Sequence, residues 1–190
     1  RGELVFLVGG NGSGKTTLAK LLVGLYAPES GTILLDGETV DQQRLGAYRE
    51  QFSAVFSDFY LFESLIGLPP QGLDGQARRL LEELQLQHKV SIHDGQFSTT
   101  ELSQGQKKRL ALLVAYLEDR PFYVFDEWAA DQDPAFKEVF YKTLLPALQA
   151  KGKTILVISH DDRYFACADR CIKLEYGKIN IAQDIAVEHV

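Results

Sequence analysis

The feature that most constrains this fold is a glycine-rich segment lying between an apolar run and a helical pattern. Residues 4–8 (LVFLV) are continuously apolar, which is typical of a buried strand in a parallel sheet. Residues 9–16 (GGNGSGKT) fit the pattern G-x-x-x-x-G-K-[ST]. Residues 16–26 then have leucines on one predicted helix face, at positions 18, 21, 22 and 25. The order strand, loop, helix favours an α/β domain.

The composition of this loop suits it to bind phosphate. Glycines let backbone N–H groups converge on phosphate oxygens, and the following helix adds the positive end of its dipole. We expect Lys15 to reach the β- and γ-phosphates of a nucleotide, and the Thr16 hydroxyl to ligate Mg²⁺. Thr17 is close enough to bond the α-phosphate. The predicted nucleotide-binding residues are Gly9, Gly10, Asn11, Gly12, Ser13, Gly14, Lys15, Thr16 and Thr17.

Strand and helix patterns alternate along the rest of the chain. Strands are predicted at 32–35, 52–56, 122–125 and 153–159, and helices at 74–88, 104–117 and 135–149, the last interrupted near Pro146. Residues 172–179 are predicted to form a hairpin that turns at Tyr176–Gly177. This alternation predicts an α/β domain with a mainly parallel sheet.

Two predicted buried strands end in residues that could carry chemistry. Asp126 and Glu127 follow one strand and His160 follows another, and ligands bind at this carboxyl edge of open α/β sheets. Asp126 is expected to hold Mg²⁺, and Glu127 to act as general base or to orient the attacking water. His160 is expected to bond the γ-phosphate and sense its presence. The alternative is structural: acids after strands often cap loops, and a lone histidine is often a packing residue.

Charge and apolar patterning exclude some classes. The formal net charge of −6 argues against a nucleic-acid partner, which requires clustered positive charge. The one tight basic triplet, Lys107–Arg109, is interpreted as a solvated helix face. Cys167 and Cys171, four apart in a predicted helix, are interpreted as free thiols. No run approaches the roughly 18 apolar residues of a membrane-spanning helix.

With these residues in view, the chain resembles the ATPases of ABC transporters. The decisive segment is Leu102, Ser103, Gln104, Gly105 and Gln106, one substitution from the LSGGQ signature of that family. The resemblance implies that this signature segment contacts the γ-phosphate bound to a second subunit. It also implies that residues 9–17 are the Walker A motif, residues 122–126 Walker B, Glu127 the catalytic glutamate and His160 the switch histidine. Asp133 falls where the D-loop aspartate of the family meets the other subunit.

The resemblance implies a fold and partners as well. The expected fold is a P-loop NTPase of RecA-like type, with residues 1–62 and 119–190 as core, residues 63–118 as an inserted helical subdomain, and a truncated N-terminal antiparallel β part. ATP and Mg²⁺ are the expected cofactors, and a second copy of the domain is the expected partner. Because the chain begins inside a strand without Met, we expect a longer protein with a transmembrane domain upstream. The soluble fragment would then lie at the cytoplasmic face of the inner membrane.

Two departures from the family pattern concern the nucleotide. The segment VFSDFYLF at 55–62 puts Ser57 where the family has a glutamine that touches Mg²⁺. A hydroxyl can also ligate Mg²⁺, so Ser57 joins Thr16 and Asp126 as a candidate metal ligand, although it is shorter. In addition, only fourteen residues precede Lys15, so the aromatic residue that stacks on adenine in the family is expected to lie outside the chain.

The segments FSDFYLF, DEWAADQDP and SHDDRYF resemble the bacterial exporters of cyclic peptides and siderophore peptides, including the pyoverdine type. In such exporters the cargo contacts the membrane domain, not this domain. One alternative is an importer ATPase encoded separately from its permease. Another is an ATPase of DNA repair or chromosome maintenance, but those carry a long coiled coil, whereas Lys15 and Leu102 are only 87 positions apart. A third is a regulatory module that no longer hydrolyses ATP.

Overall fold

The computed structural model describes residues 2–180. The two ends of the predicted core, residue 1 and residues 181–190, lie outside the described residues. The described strands are β1 Leu4–Val8, β2 Leu34–Leu35, β3 Glu38–Thr39, β4 Phe52–Val55, β5 Ile92–His93, β6 Gln96–Phe97, β7 Phe122–Asp126, β8 Thr154–Ile158, β9 Arg170–Glu175 and β10 Lys178–Asn180. The α-helices are α1 Lys15–Leu22, α2 Leu45–Arg49, α3 Leu73–Glu83, α4 Gln104–Glu118, α5 Pro134–Val139 and α6 Leu145–Ala150.

Six strands form the central sheet, in the order β10-β9-β1-β8-β7-β4. All neighbouring pairs are parallel except β9 with β10. The inner strands β1, β7 and β8 are almost entirely apolar, because helices cover both faces of a parallel sheet and leave no face to water. This confirms the predicted α/β class with a mainly parallel sheet. Among the described residues, the predicted N-terminal antiparallel part consists of β2 and β3.

Helix α1 is shorter than predicted and buries a different face. It ends at Leu22, because Gly24 takes the left-handed conformation (φ 74°) that commonly ends helices. Its buried residues are Lys15 and Ala19, whereas Leu22 and Leu25 are exposed. The predicted leucine face was therefore wrong at Leu22 and Leu25, whereas Leu18 packs partly against the core. Lys15 points inward beneath the loop, and residues four apart share its side of the helix.

The predicted helix at 135–149 is present and is interrupted, as expected, just before Pro146. A π-helical turn at Phe140–Leu144 separates α5 from α6. Pro146 lacks the N–H that would continue the helical hydrogen bonds, and this explains the change to π-helical bonding just before it. The hairpin at Tyr176–Gly177 is also confirmed, with φ of 49° and 74° at its two turn residues. Cys167 and Cys171 are free, but they lie on a 3₁₀ turn and on β9, not on a helix as predicted.

Between β4 and β7 the chain forms α3, the small β5–β6 hairpin and α4. Leu81 and Leu84 pack with Leu110 and Leu113 in one apolar cluster that continues into the sheet. Helix α4 contacts both α3 and β4, and so connects α3 to the central sheet. In the part of the chain that the structure describes, no helix is long and apolar enough to cross a membrane.

Candidate nucleotide site

The glycine-rich loop leaves β1 and enters α1 around a buried lysine. A Cβ at Gly9 would lie 2.2 Å from the Leu174 carbonyl oxygen, so no side chain fits there, and Gly14 opens the helix at φ 97°. Lys15 is only 6% exposed. Its ammonium group donates to the carbonyl oxygens of Gly9 at 2.9 Å and Gly10 at 3.0 Å. The positive charge therefore lies under the concave side of the loop, where phosphate oxygens could replace these carbonyls.

The other loop residues differ in accessibility. Asn11 and Gly12 are exposed, and nothing lies within 4 Å of a Cβ built on Gly10 or Gly12. Ser13 is buried, and its hydroxyl has no hydrogen-bond partner in the described structure. Thr17 is exposed at the start of α1. The loop thus has open backbone at Gly10 and Gly12 and one buried, unsatisfied hydroxyl at Ser13.

Three oxygen-bearing side chains converge at the carboxyl end of β7. The Thr16 hydroxyl donates to Asp126 Oδ2 at 2.9 Å, and the Ser57 hydroxyl lies 3.5 Å from the same oxygen. Asp126 is 1% exposed, and its second oxygen, Oδ1, has no hydrogen-bond partner within residues 2–180. Burial raises the pKa of this carboxyl group, while the Thr16 hydrogen bond opposes the rise.

This cluster of oxygens suits a hard divalent cation. Mg²⁺ prefers oxygen ligands and retains several waters, so one carboxylate with two hydroxyls is an appropriate donor set. The unpartnered Oδ1 of Asp126 is the specific observation that fits a cation ligand, because buried carboxylate oxygens are otherwise hydrogen-bonded. No group of three or more His, Cys, Asp or Glu side chains that could hold a metal occurs among the residues described.

Glu127 and His160 lie side by side at the ends of β7 and β8. Glu127 Oε1 is 3.2 Å from His160 Nε2, and both side chains are partly exposed on a groove of about 390 Å³. The Glu127 backbone is left-handed, at φ 50°, which a non-glycine residue adopts only under local constraint. Its N–H donates to the Ile158 carbonyl at 3.0 Å. Parallel pairing of β7 with β8 thus brings together two residues that are 33 positions apart in sequence.

The signature segment begins α4. Ser103 is the N-cap: its hydroxyl accepts from the Gln106 N–H at 3.3 Å, and the Gln106 side chain accepts from the Ser103 N–H at 3.2 Å. Ser103 and Gln104 are exposed, and Leu102 packs partly against the core. Within residues 2–180, no hydrogen bond joins residues 102–106 to residues 9–17. The predicted contact with a nucleotide on a second subunit stays a prediction.

The interpretation of Lys107–Arg109 as a solvated helix face was wrong. Lys108 is 5% exposed, and its ammonium group donates to the Glu127 carbonyl at 2.8 Å and pairs with the Asp131 carboxylate at 2.7 Å. The Arg109 side chain is also largely covered, at 11% exposure. Both charges are buried because α4 packs on the segment that follows β7. The carbonyl and carboxylate groups of that segment replace water as hydrogen-bond partners.

The same contact explains Gly105 in the signature segment. A Cβ at this position would lie 2.6 Å from the Asp131 carbonyl oxygen, which is closer than real Cβ contacts. The Gln132 side chain donates to the Gly105 carbonyl at 3.0 Å and accepts from Arg109 Nε at 2.8 Å. Glycine at 105 therefore lets α4 approach residues 131–132 closely enough to bond them.

Asp133 caps helix α5. Its Oδ1 accepts from the Phe136 N–H at 2.9 Å, and its Oδ2 accepts from Arg109 at 2.6 Å. The Phe136 hydrogen bond and the Arg109 charge lower the pKa of this carboxyl group. Asp133 therefore has a structural partner on each oxygen, and its predicted meeting with a second subunit stays a prediction.

Sequence reasoning missed Lys108, Asp131 and Gln132 as parts of this site. A signal for Lys108 was available, because positions 108, 112 and 115 lie at the spacing of one helix face, and Leu112 and Ala115 are apolar. The alignment of a lysine with apolar residues on one helix face predicts its burial better than its position in a basic triplet predicts its exposure. Asp131 and Gln132 carry no comparable signal, because they lie in a short 3₁₀ turn and its end.

Known proteins are similar to this chain in sequence and in fold. Residues 1–130 match the family model described as "ABC transporter". The chain is 57% identical over 190 residues to the ATP-binding protein SyrD of Pseudomonas syringae pv. syringae. The matched region is 98% of this chain but 34% of SyrD. The chain is 35% identical over 192 residues to the ATP-dependent lipid A-core flippase of Ralstonia nicotianae, covering 94% of the chain and 32% of that protein.

A solved structure shares the fold. The ATP-binding subunit of an ABC transporter superposes with a TM-score of 0.76 at 28% identity, over 94% of this chain and 77% of that one. The chain spans about a third of the length of the two curated relatives named above. The family match covers more than half of the chain, in the region that contains the phosphate loop, the signature segment and Asp126. The chain belongs to the ABC transporter family.

Proposed function

We propose that this chain binds ATP with Mg²⁺ and hydrolyses it to power export across the bacterial inner membrane. The observation that carries the proposal is the convergence of three strand ends. β1 leads to Lys15 and Thr16, β7 ends at Asp126 and Glu127, and β8 leads to His160. Their side chains are linked by the Thr16–Asp126 and Glu127–His160 contacts.

The chemistry follows from this arrangement. Lys15 would exchange the Gly9 and Gly10 carbonyls for phosphate oxygens, and the loop N–H groups would hold the phosphate chain in line for attack. Asp126, Thr16 and Ser57 would hold Mg²⁺, which supplies charge neutralisation for the β- and γ-phosphates. Glu127 would accept a proton from the attacking water, and His160, 3.2 Å away, would orient Glu127 and bond the γ-phosphate.

Completion of the site by a second copy is part of the proposal. Ser103 and Gly105 would cap the nucleotide held by residues 9–17 of a partner domain, and Asp133 would meet the other subunit. The exposed N-terminus of α4 is consistent with this, since helix N-termini bind anions. Residues 63–118 are proposed as a helical subdomain, and residues 1–62 and 119–190 as the core.

The membrane partner is proposed from the length of relatives, and the cargo from sequence segments of this chain. SyrD and the lipid A-core flippase are each about three times as long as this chain, so a fused or associated transmembrane domain is proposed. The domain would then lie at the cytoplasmic face of the membrane. The proposed cargo is a peptide or siderophore precursor, which would contact the membrane domain and not this one; the segments FSDFYLF, DEWAADQDP and SHDDRYF support it. Nothing in the site calls for nucleic acid.

A Glu127→Gln variant tests the proposal. In the full-length protein we expect Mg-ATP binding to persist while phosphate release falls by roughly a hundredfold or more, since general-base catalysis contributes about 10²–10⁴-fold. ATP should also drive the variant into dimers that sedimentation detects. Glu82→Gln, at an exposed position of α3, is the control and should release phosphate like the parent. Parental turnover by Glu127→Gln would contradict the assignment of the base.

A further inference from the structure

Lys108 connects the signature helix to the backbone of Glu127. It lies in the first half of α4, five residues after Ser103. Its ammonium group reaches the Glu127 carbonyl at 2.8 Å and the Asp131 carboxylate at 2.7 Å. In return, the Trp128 indole N–H donates to the Lys108 carbonyl at 2.8 Å. These three bonds, the Lys108 clamp, join α4 to residues 127–131 in both directions.

The clamp acts on a residue whose backbone needs support. Glu127 is left-handed at φ 50°, and a non-glycine residue persists there only where its surroundings determine the conformation. Its N–H donates to the Ile158 carbonyl at 3.0 Å, and its carbonyl accepts from Lys108 at 2.8 Å and, within the 3₁₀ turn, from the Ala130 N–H at 3.2 Å. One peptide group is thus held by the sheet, and the next by the turn together with the signature helix. The carboxylate between them faces His160.

Burial makes the clamp specific. Lys108 is 5% exposed, so its charge is sheltered from water and depends on these two acceptors. Asp131 is the anion that pairs with it, while the Glu127 carboxylate makes its contact with His160 instead. The lysine therefore holds the backbone of Glu127 without pairing with the carboxylate that would take the proton.

We propose that Lys108 is a positioning residue for ATP hydrolysis, which holds the Glu127 backbone from the signature helix so that the Glu127 carboxylate is aimed at the attacking water. This inference rests on the proposed function. Through Lys108, the signature helix is linked to Glu127. The signature helix would meet the nucleotide of the partner domain, and Glu127 would act on the nucleotide bound by residues 9–17 of the same chain. Lys108 touches neither nucleotide nor water in this scheme and acts through Glu127.

Lys108→Met tests the clamp, because methionine keeps most of the volume and removes the donor. In the full-length protein we expect kcat for Mg-ATP to fall by roughly tenfold to a hundredfold, the scale of a small misplacement of a catalytic group. KM for ATP should stay within about twofold, because the phosphate loop is untouched. In a Glu127→Gln background, Lys108→Met should cause no further loss. A parental kcat, or an equal loss in that background, would overturn the inference.

The chain offers a matched control in Lys153. Its ammonium group also bonds the carbonyl (2.8 Å) and the carboxylate (2.8 Å) of an acid, Asp119, that is left-handed at φ 50°. This pair lies at the opposite edge of the sheet, before β7 and β8 begin. Both Lys153→Met and Lys108→Met should lower Tm, but Lys153→Met should leave kcat unchanged. An equal loss of kcat in both variants would mean that the effect is general instability, and would overturn the inference.

A milder variant keeps the test decisive if Lys108→Met does not fold. Asp131→Asn removes the negative charge that pairs with Lys108, at a half-exposed position, and leaves the bond from Lys108 to the Glu127 carbonyl. It should lower kcat by several-fold at unchanged KM, and a parental kcat would overturn the clamp. Failure of the proposed function looks different: either the parent protein would not hydrolyse ATP, or Glu127→Gln would do so at the parental rate.

Discussion

Asp126 shows how a single residue can serve a site at the expense of the fold. It is 1% exposed, it accepts a hydrogen bond from Thr16, and its Oδ1 has no partner among the described residues. Burial raises its pKa, so the ionised carboxylate is less favourable in the folded protein than in the unfolded chain. A cation that binds Oδ1 would remove this penalty. A stability cost of this kind is common at functional sites.

Asp126→Asn should therefore stabilise the metal-free protein while abolishing Mg²⁺-dependent hydrolysis. For an acid with a raised pKa, the folded state binds the proton more tightly, so stability falls as pH rises above the unfolded value, near 3.8. We expect a gain of about 0.5–2 kcal/mol in urea unfolding at pH 7.5. The gain should shrink as pH is lowered toward 3.8. A variant less stable than the parent at pH 7.5 without Mg²⁺ would contradict this account.

At the residue scale, the positions of polar side chains that follow buried strands were predicted correctly. Asp126, Glu127 and His160 were expected at one sheet edge, and the contacts between neighbouring strands confirm that they are close. Lys108 was misjudged because a charged triplet was assessed by its charge alone. Whether a lysine faces water depends on what packs against its helix, and the close approach of residues 127–131 cannot be read from local sequence.

Helix α4 links the signature segment to the carboxyl end of β7 through a close backbone contact. Helix α4 approaches this segment closely at Gly105, because a Cβ there would lie 2.6 Å from the Asp131 carbonyl oxygen. The Gln132 side chain bonds the Gly105 carbonyl at 3.0 Å. A displaced α4 would lose this bond and shift the position of Ser103 at the helix start.

Gly105→Ala should therefore destabilise the protein, although alanine normally favours a helix. The added methyl group forces α4 away from residues 131–132, at a cost of about 1–3 kcal/mol in urea unfolding. Gly75→Ala is the matched control, since Gly75 is an exposed helical glycine of α3 with nothing within 4 Å of its added Cβ. It should stabilise by about 0.5–1 kcal/mol. A shift of stability in the same direction in both variants would contradict the close approach of Gly105 to residues 131–132.

Element boundaries were predictable where local chemistry decides them. Ser103 as N-cap, the Tyr176–Gly177 turn and the interruption before Pro146 all follow from residue type. The buried face of α1 did not follow, because its leucines suggested one face and the inward Lys15 selects another. Periodicity identifies a helix, but the loop that precedes α1 sets its rotation.

At the scale of the whole molecule, one sheet edge gathers residues from distant parts of the chain. Thr16 and Asp126 are 110 positions apart and in contact, as are Glu127 and His160, 33 apart. The α/β class could be predicted from alternation and the phosphate loop from its pattern. The strand order β9-β1-β8-β7-β4, which makes these contacts, depends on long-range pairing that alternation does not specify.

The central claim is that the loop after β1 and Lys15 grip the phosphates of ATP. Isothermal titration of the full-length protein with Mg-ATP tests it directly, using Lys15→Ala and, as control, Lys151→Ala at an exposed position after α6. The parent and Lys151→Ala should bind ATP with the same Kd. Lys15→Ala should raise Kd by about tenfold to a hundredfold, because hydrogen bonds to charged groups contribute about 1.5–3 kcal/mol. An unchanged Kd in Lys15→Ala would contradict the account.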